Sequence, residues 1–315
     1  ILSLTKNSNC VKLRAMITLD RRQHLGLQAL SLVLIIANWQ FMHWPLLGII
    51  TSIIFFALNS KKLGDLLFEQ ISTSFRNVLG LLTILLYLSI IYTLFYQVWQ
   101  INDVTFLCSL ISIPLIIEFW SWRLNKRHYF FASLDIPNIR LANIKNIIIP
   151  IAFFITEILT LILLVRRAST DIIRSPWELL GYKFWTLVII SSILLVIYIF
   201  QNKKLRASLF MTSLHFFVLS SITWLVYPLG FGYDPFLHQA AMNVIQDTGT
   251  IQPRLLLYLG QYAWTFFLSS SWQISIVSIN KLILPIAFSI LWPHSLYYGL
   301  RKGFRWPNKI SLLVV

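Results

Sequence analysis

The residues best suited to chemistry lie in one polar segment, YPLGFGYDPFLHQAAMNVIQDTGTIQPRLLLYLGQYAW, which follows a long apolar run. Asp234 stands just past the end of that run, where a lone carboxylate can stay hydrated and ionised. Arg254 is the only basic residue of the segment, and its guanidinium suits a phosphate. His238 and Gln261 could form hydrogen bonds to a substrate.

A purely structural interpretation accounts for the same segment. Pro235 suits the first position of a helix that Asp234 would cap, and Gly249 suits its end. His238, four residues after Asp234, then shares its helix face and could simply pack against the membrane surface. Both interpretations remain open at the level of the sequence.

The elements that must position these residues are membrane-spanning helices. Hydrophobic residues make up 57% of the chain and charged residues only 12%, which excludes an ordinary soluble domain. A bilayer core about 30 Å thick needs roughly 20 apolar residues per helix. The sequence therefore predicts an all-α, polytopic helical bundle with interfacial helices and about eight spans, at residues 25–41, 44–59, 79–98, 104–122, 147–165, 184–200, 207–228 and 276–298.

The distribution of charge predicts the orientation of the spans. The net charge is +15, but the basic residues are gathered between apolar runs, which argues against nucleic acid as a partner. With a cytoplasmic N-terminus most of the 26 Lys and Arg residues lie inside, as the positive-inside rule requires. Residues 229–257 then form an external loop. The apolar run at 258–271 is too short to cross, so we expect a juxtamembrane helix along the outer face.

The chain changes character near residue 207. Residues 1–206 form an N-terminal transmembrane region of unknown role, whereas residues 207–315 begin a second module with a span, the loop 229–257, the short helix and another span. Because the chain opens on Ile1 and stops as a new apolar run begins, we expect it to be part of a longer protein.

One acidic residue falls inside a predicted span. Glu157 lies near the middle of an apolar run, where a charge is costly, so its side chain should face the interior of the bundle. Protonation, or a partner such as Lys281, would make Glu157 structural, whereas a proton or ion pathway would make it functional.

The pattern aromatic-Asp-Pro-aromatic-x-His, with Asp234, Pro235, Phe236 and His238, resembles the first external loop of the oligosaccharyltransferase catalytic subunit. More broadly, residues 207–310 resemble the GT-C superfamily of polytopic glycosyltransferases, which take sugars from polyprenyl phosphates. The later GTIQP and YLGQY are similar to loop segments of bacterial membrane proteins of that type.

This resemblance implies a function and a set of roles. Asp234 would be a catalytic residue or a ligand of Mg²⁺ or Mn²⁺, and the partners would be a polyprenyl-phosphate sugar donor and membrane lipid. The protein would transfer a sugar at the external face of the cell inner membrane. We expect the second acidic motif of that family's metal site to lie beyond residue 315. The alternatives are a transporter or flippase for lipid-linked saccharides, and an inactive membrane subunit of an envelope-glycan complex.

Overall fold

The chain folds mainly into helices. The computed structural model describes residues 3–7, 10–19, 21–71, 73–124, 130–134, 145–201, 205–230, 234–254 and 259–315. Among these, seven helices are long and apolar enough to cross a membrane: Gln23–Met42, Pro45–Leu67, Phe75–Val98, Asp103–Arg123, Ile147–Arg166, Tyr182–Gln201 and Ile276–Lys302. The prediction of a helical, multi-pass membrane protein is therefore confirmed.

The elements follow one another in a simple order. They are β1 (Ser3–Asn7), β2 (Cys10–Leu19), α1 (Arg21–Ala37), α2 (Pro45–Leu67), α3 (Thr73–Val98), α4 (Asp103–Arg123), β3 (Phe130–Leu134), α5 (Lys145–Arg166), α6 (Tyr182–Gln201), α7 (Leu205–Ser220), α8 (Ile222–Val226), α9 (Asp234–Thr248), α10 (Leu259–Trp272), α11 (Ile276–Lys302) and α12 (Asn308–Val314). A π-helix at Asn38–Met42 extends α1, and a 3₁₀ helix at Pro176–Leu179 precedes α6.

The chain forms two compact units. The first contains Ile1–Leu141 and Val244–Ile276, and the second contains Ala142–Asn243 and Val277–Val315. This division differs from the boundary near residue 207 that the sequence suggests, because Val244–Ile276, which contains the end of α9 and all of α10, groups with the N-terminal helices. The division into units depends on contacts between residues far apart in the chain, and a local sequence pattern does not predict such contacts.

In the first unit, α2 and α3 approach closely through glycine. A Cβ added at Gly80 would lie 1.9 Å from the Ser60 carbonyl oxygen, and one at Gly64 would lie 2.4 Å from the Arg76 carbonyl oxygen. Both distances are far below contact distance. Small residues at these positions therefore set the spacing of the two helices, as is common between helices in membranes.

Helix α10 packs inside the first unit, against α2, α3 and α4. The Phe267 ring is fully buried, with its centroid 5.7 Å from that of Phe56 and 5.5 Å from that of Phe106. The Trp264 indole N–H donates to the Leu85 carbonyl oxygen at 2.9 Å. The sequence predicts a helix at 258–271 along the outer face. The structure has the helix, but seven of its 14 residues are buried against neighbouring helices.

A small antiparallel sheet accompanies the helices of the first unit. Its strands are in the order β1-β2-β3, and Ser3 pairs with Arg14 while Ala15 pairs with Leu134. The all-α prediction did not include these strands. The strands are short and contain no long apolar run, and the spans were predicted from long apolar runs alone.

The second unit is built from α5, α6, α7, α8, the first part of α9, α11 and α12. Its core joins α5 to α6 and α7 through buried side chains such as Phe153, Leu195, Ile199 and Met211. The 3₁₀ helix at Pro176–Leu179 is capped by Ser175, whose hydroxyl oxygen accepts from the Trp177 backbone N–H at 3.3 Å.

The span predicted at 207–228 is an interrupted helix. Helix α7 is 16 residues long, near 24 Å at 1.5 Å per residue, which is less than a bilayer core. Ser221 separates it from α8, yet the Ser221 N–H bonds to the Phe217 carbonyl and the Leu225 N–H to the Ser221 carbonyl. The helical hydrogen-bond pattern thus continues through the interruption.

Candidate functional site

Asp234 is the first residue of α9. It is exposed, and its carboxylate has no hydrogen bond or ion pair with another described residue. Gly230, with φ +93°, lies before it, and a Cβ at Gly230 would be 3.6 Å from the Pro235 Cβ. The turn that ends α8 therefore rests against the first turn of α9. The structure therefore places the carboxylate at the N-terminal, positive end of the dipole of α9.

Helix α9 presents an apolar stripe and an exposed start. Met242 and Ile245 are buried, whereas Phe236 and Leu237 are about half exposed. His238 is half-buried on the same helix, four residues after Asp234. The predicted end is confirmed, because Gly249 adopts φ +79° and its N–H bonds to the Ile245 carbonyl. An amphipathic helix of this kind suits a membrane surface.

Arg254 holds the following segment onto the first unit. Its guanidinium donates to the carbonyl oxygens of Gln97 and Trp99, the latter at 2.9 Å. The Tyr96 hydroxyl donates to the Ile251 carbonyl oxygen at 3.2 Å nearby. Through these contacts Arg254 holds its segment against the turn between α3 and α4. Its predicted role in phosphate binding remains a prediction.

The four predicted site residues belong to different units. Asp234 and His238 lie in the second, whereas Arg254 and Gln261 lie in the first, where Gln261 is an exposed residue of α10. The described residues contain no group of three or more His, Cys, Asp or Glu side chains that could hold a metal ion.

A pocket of about 320 Å³ lies within the second unit, at the end where α5 and α8 finish and α11 begins. We call it the Lys281 pocket. It is lined by three side chains with polar atoms and by five apolar residues: Trp224, Ser278, Lys281, Val165, Ala168, Leu225, Pro228 and Leu282.

Lys281 is the charged group of this pocket. Its ammonium donates to the Pro228 carbonyl oxygen, and it has no ion pair with a described residue. Pro228 belongs to the turn that leads to Asp234. The sequence suggested Lys281 as the partner of Glu157, and this is wrong. Helix α11 contains no acidic residue, so an unpaired Lys near its start was a signal that sequence reasoning missed.

Glu157 is paired with His215 instead. Glu157 Oε1 lies 2.6 Å from His215 Nδ1, and both residues are buried. The Ser192 hydroxyl oxygen is 3.1 Å from His215 Nε2, and that of Ser191 is 3.4 Å from His215 Nδ1. The predicted inward orientation of Glu157 is confirmed. These residues stand near the middle of α5, α6 and α7, so the cluster lies deep in the unit.

No protein-family model matches the chain, and no curated protein or solved structure matches it either.

The chemistry of the second unit therefore rests on three features. They are an exposed carboxylate at Asp234 without a partner in the described part of the chain, a pocket whose cation is Lys281, and a buried acid–imidazole pair formed by Glu157 and His215. The first two are linked through the turn at Pro228 and Gly230, whereas the third is separated from them by about half the length of a span.

Proposed function

We propose that this chain is the membrane portion of a glycosyltransferase that moves a sugar from a polyprenyl-phosphate donor to an acceptor. The observation that carries the proposal is Asp234, an exposed carboxylate at the start of α9 without a partner among the described residues. It stands in the aromatic-Asp-Pro-aromatic-x-His pattern of GT-C enzymes. A carboxylate needed only as a structural cap would more often be engaged locally.

The proposal includes a membrane orientation. The N-terminus is cytoplasmic, eight segments cross the inner membrane, and the seventh of them along the chain is formed by α7 and α8 together. Asp234 then lies at the external face, where a lipid-linked donor and an external acceptor can both reach it. The distribution of Lys and Arg supports this arrangement.

In this function Asp234 orients the acceptor or removes its proton, or it holds a divalent cation. When bound, such a cation would offset negative charge on the leaving phosphate. His238, on the same helix as Asp234, is a candidate for hydrogen bonding to the sugar.

The test is sugar transfer from a radiolabelled polyprenyl-phosphate donor in membranes that contain the full-length protein. We expect Asp234→Asn to lower the rate about 100-fold or more, because a positioned carboxylate contributes at least that much to proton transfer. Asp247→Asn is the matched control, since Asp247 is an exposed acid on the same helix. Equal rates for Asp234→Asn and wild type would remove Asp234 from the site.

The buried Glu157–His215 pair favours a second candidate, a carrier for lipid-linked saccharides. A carrier needs intramembrane polar groups, whereas an enzyme active at the membrane surface does not. The discriminating experiment measures movement of a fluorescent polyprenyl-phosphate saccharide across proteoliposomes. Movement that is lost in Glu157→Gln but kept in Asp234→Asn would establish the carrier and overturn the enzyme.

A further inference from the structure

Lys281 is a cation in an apolar setting. It is the sixth residue of α11, a helix without acidic residues, and its described bond is to the Pro228 carbonyl oxygen. An ammonium group has three donor hydrogens, so two remain for a ligand. A cation that is partly withdrawn from water and has no described carboxylate beside it is an attractive position for an anion.

The rest of the pocket supplies complementary chemistry. The Trp224 indole N–H is buried and has no hydrogen-bond partner among the described residues. Such an unsatisfied donor is costly unless a ligand or water accepts from it. Val165, Leu225 and Leu282 make the remaining wall apolar. A volume of about 320 Å³ is enough for a compact anionic group together with the first part of an apolar chain.

The pocket also lies at the right depth for a lipid headgroup. Helix α5 ends at Arg166 and α6 begins at Tyr182, so this end of the unit is where candidate spans leave the bilayer. Trp177 and Trp185 stack there with ring centroids 6.3 Å apart, and each is about half exposed. Exposed tryptophans of this kind are typical of a membrane–water interface.

We infer that the Lys281 pocket binds the phosphate group of a membrane lipid. Lys281 supplies the positive charge, the Trp224 N–H donates a hydrogen bond, and the apolar wall contacts the first carbons of the lipid chain. For the identity of the lipid the inference rests on the proposed function, which makes it a polyprenyl phosphate. A phosphate in this pocket would lie beside the turn that carries Pro228 and Gly230 to Asp234.

The experiment measures equilibrium binding of a radiolabelled polyprenyl monophosphate to the full chain in a neutral detergent. We expect Lys281→Gln to weaken binding about tenfold or more, because a charge-assisted hydrogen bond is lost. Lys281→Arg should retain most of the affinity. Lys183→Gln is the matched control, since Lys183 is an exposed cation near the same end that does not line the pocket.

Trp224→Phe provides an independent variant that keeps the ring and removes only the N–H. We expect a loss of affinity of a few fold. Competition with unlabelled ligands identifies the source of the phosphate. Polyprenyl phosphate should compete best, phosphatidic acid less well, and inorganic phosphate or neutral polyprenol only weakly. Strong competition by inorganic phosphate would still support a phosphate site, but would assign it to a soluble ligand.

Equal affinity of wild type and Lys281→Gln, or equal competition by neutral polyprenol, would overturn the inference. These outcomes are separable from those for catalysis, because binding is measured without sugar transfer. Lys281-dependent binding without transfer would keep the pocket and refute the enzyme. Transfer that requires Asp234, combined with binding insensitive to Lys281→Gln, would keep the enzyme and refute the pocket.

Discussion

At the scale of single residues, the buried pair of Glu157 and His215 is the most demanding feature of the second unit. A charge in the middle of a bilayer is costly, and the Glu157 carboxylate oxygen lies 2.6 Å from the His215 imidazole Nδ1. Each member of the pair therefore depends on the other. Removal of one side chain leaves the second buried without its partner.

Because of this dependence, we expect a single substitution in the pair to destabilise the protein more than a substitution of both residues. His215→Ala should lower the free energy of unfolding by about 3 kcal/mol, because Glu157 is left unpaired. The double variant Glu157→Leu/His215→Leu should lose less, since no buried charge remains. Reversible unfolding in mixed detergent micelles measures both. A double variant that is less stable than either single variant would show that the pair is not a mutually dependent unit.

At the scale of elements, the closest packing in the first unit is that of α2 against α3. The backbone of one helix lies where a side chain of the other would begin, at Gly80 and at Gly64. Glycine in a helix is otherwise unfavourable relative to alanine. The contact must therefore compensate for that intrinsic penalty.

A steric clash at a close helix contact lowers the stability of a Gly→Ala variant, whereas the higher helix propensity of alanine raises it. Gly80→Ala should lower the free energy of unfolding by about 2 kcal/mol, because its Cβ would collide with the Ser60 carbonyl. Gly26→Ala, on an exposed face of α1 with nothing within 4 Å, should be neutral or more stable by up to about 1 kcal/mol. The same unfolding measurement compares them. If both substitutions stabilise, close packing at Gly80 is refuted.

At the scale of the whole molecule, the path of the segment around α10 decides the membrane topology. Arg254 bonds to the turn between α3 and α4, and Gln273 bonds to His43, in the turn between α1 and α2, at 2.9 Å. Successive spans alternate in direction, so these two turns lie at the same end of the first unit. We therefore expect the segment to begin and end at one side of the membrane without crossing it.

Cysteine labelling checks this path. In a chain with Cys10 and Cys108 replaced by serine, Asp247→Cys and Gln273→Cys should react with a membrane-impermeant maleimide from the same side. Arg305→Cys should react only from the opposite side, because α11 spans the membrane between them. Reaction of positions 247 and 273 from opposite sides would mean that α10 crosses the bilayer.

The sequence by itself determined the features that depend on local composition. Seven spans follow from apolar runs, because the bilayer demands about 20 apolar residues wherever a helix crosses it. The end of α9 at Gly249 follows from the conformational freedom of glycine, and the inward face of Glu157 from the cost of exposing a charge to lipid.

The tertiary structure decided which distant residues meet. Only the fold shows that Glu157 pairs with His215, 58 positions away, and not with Lys281, or that α10 packs among α2, α3 and α4. An apolar run indicates that a helix is buried, but it does not distinguish burial in lipid from burial in protein. The partner of a side chain depends on how helices from separate parts of the chain pack, and this is why the Lys281 pocket emerges only from the three-dimensional arrangement.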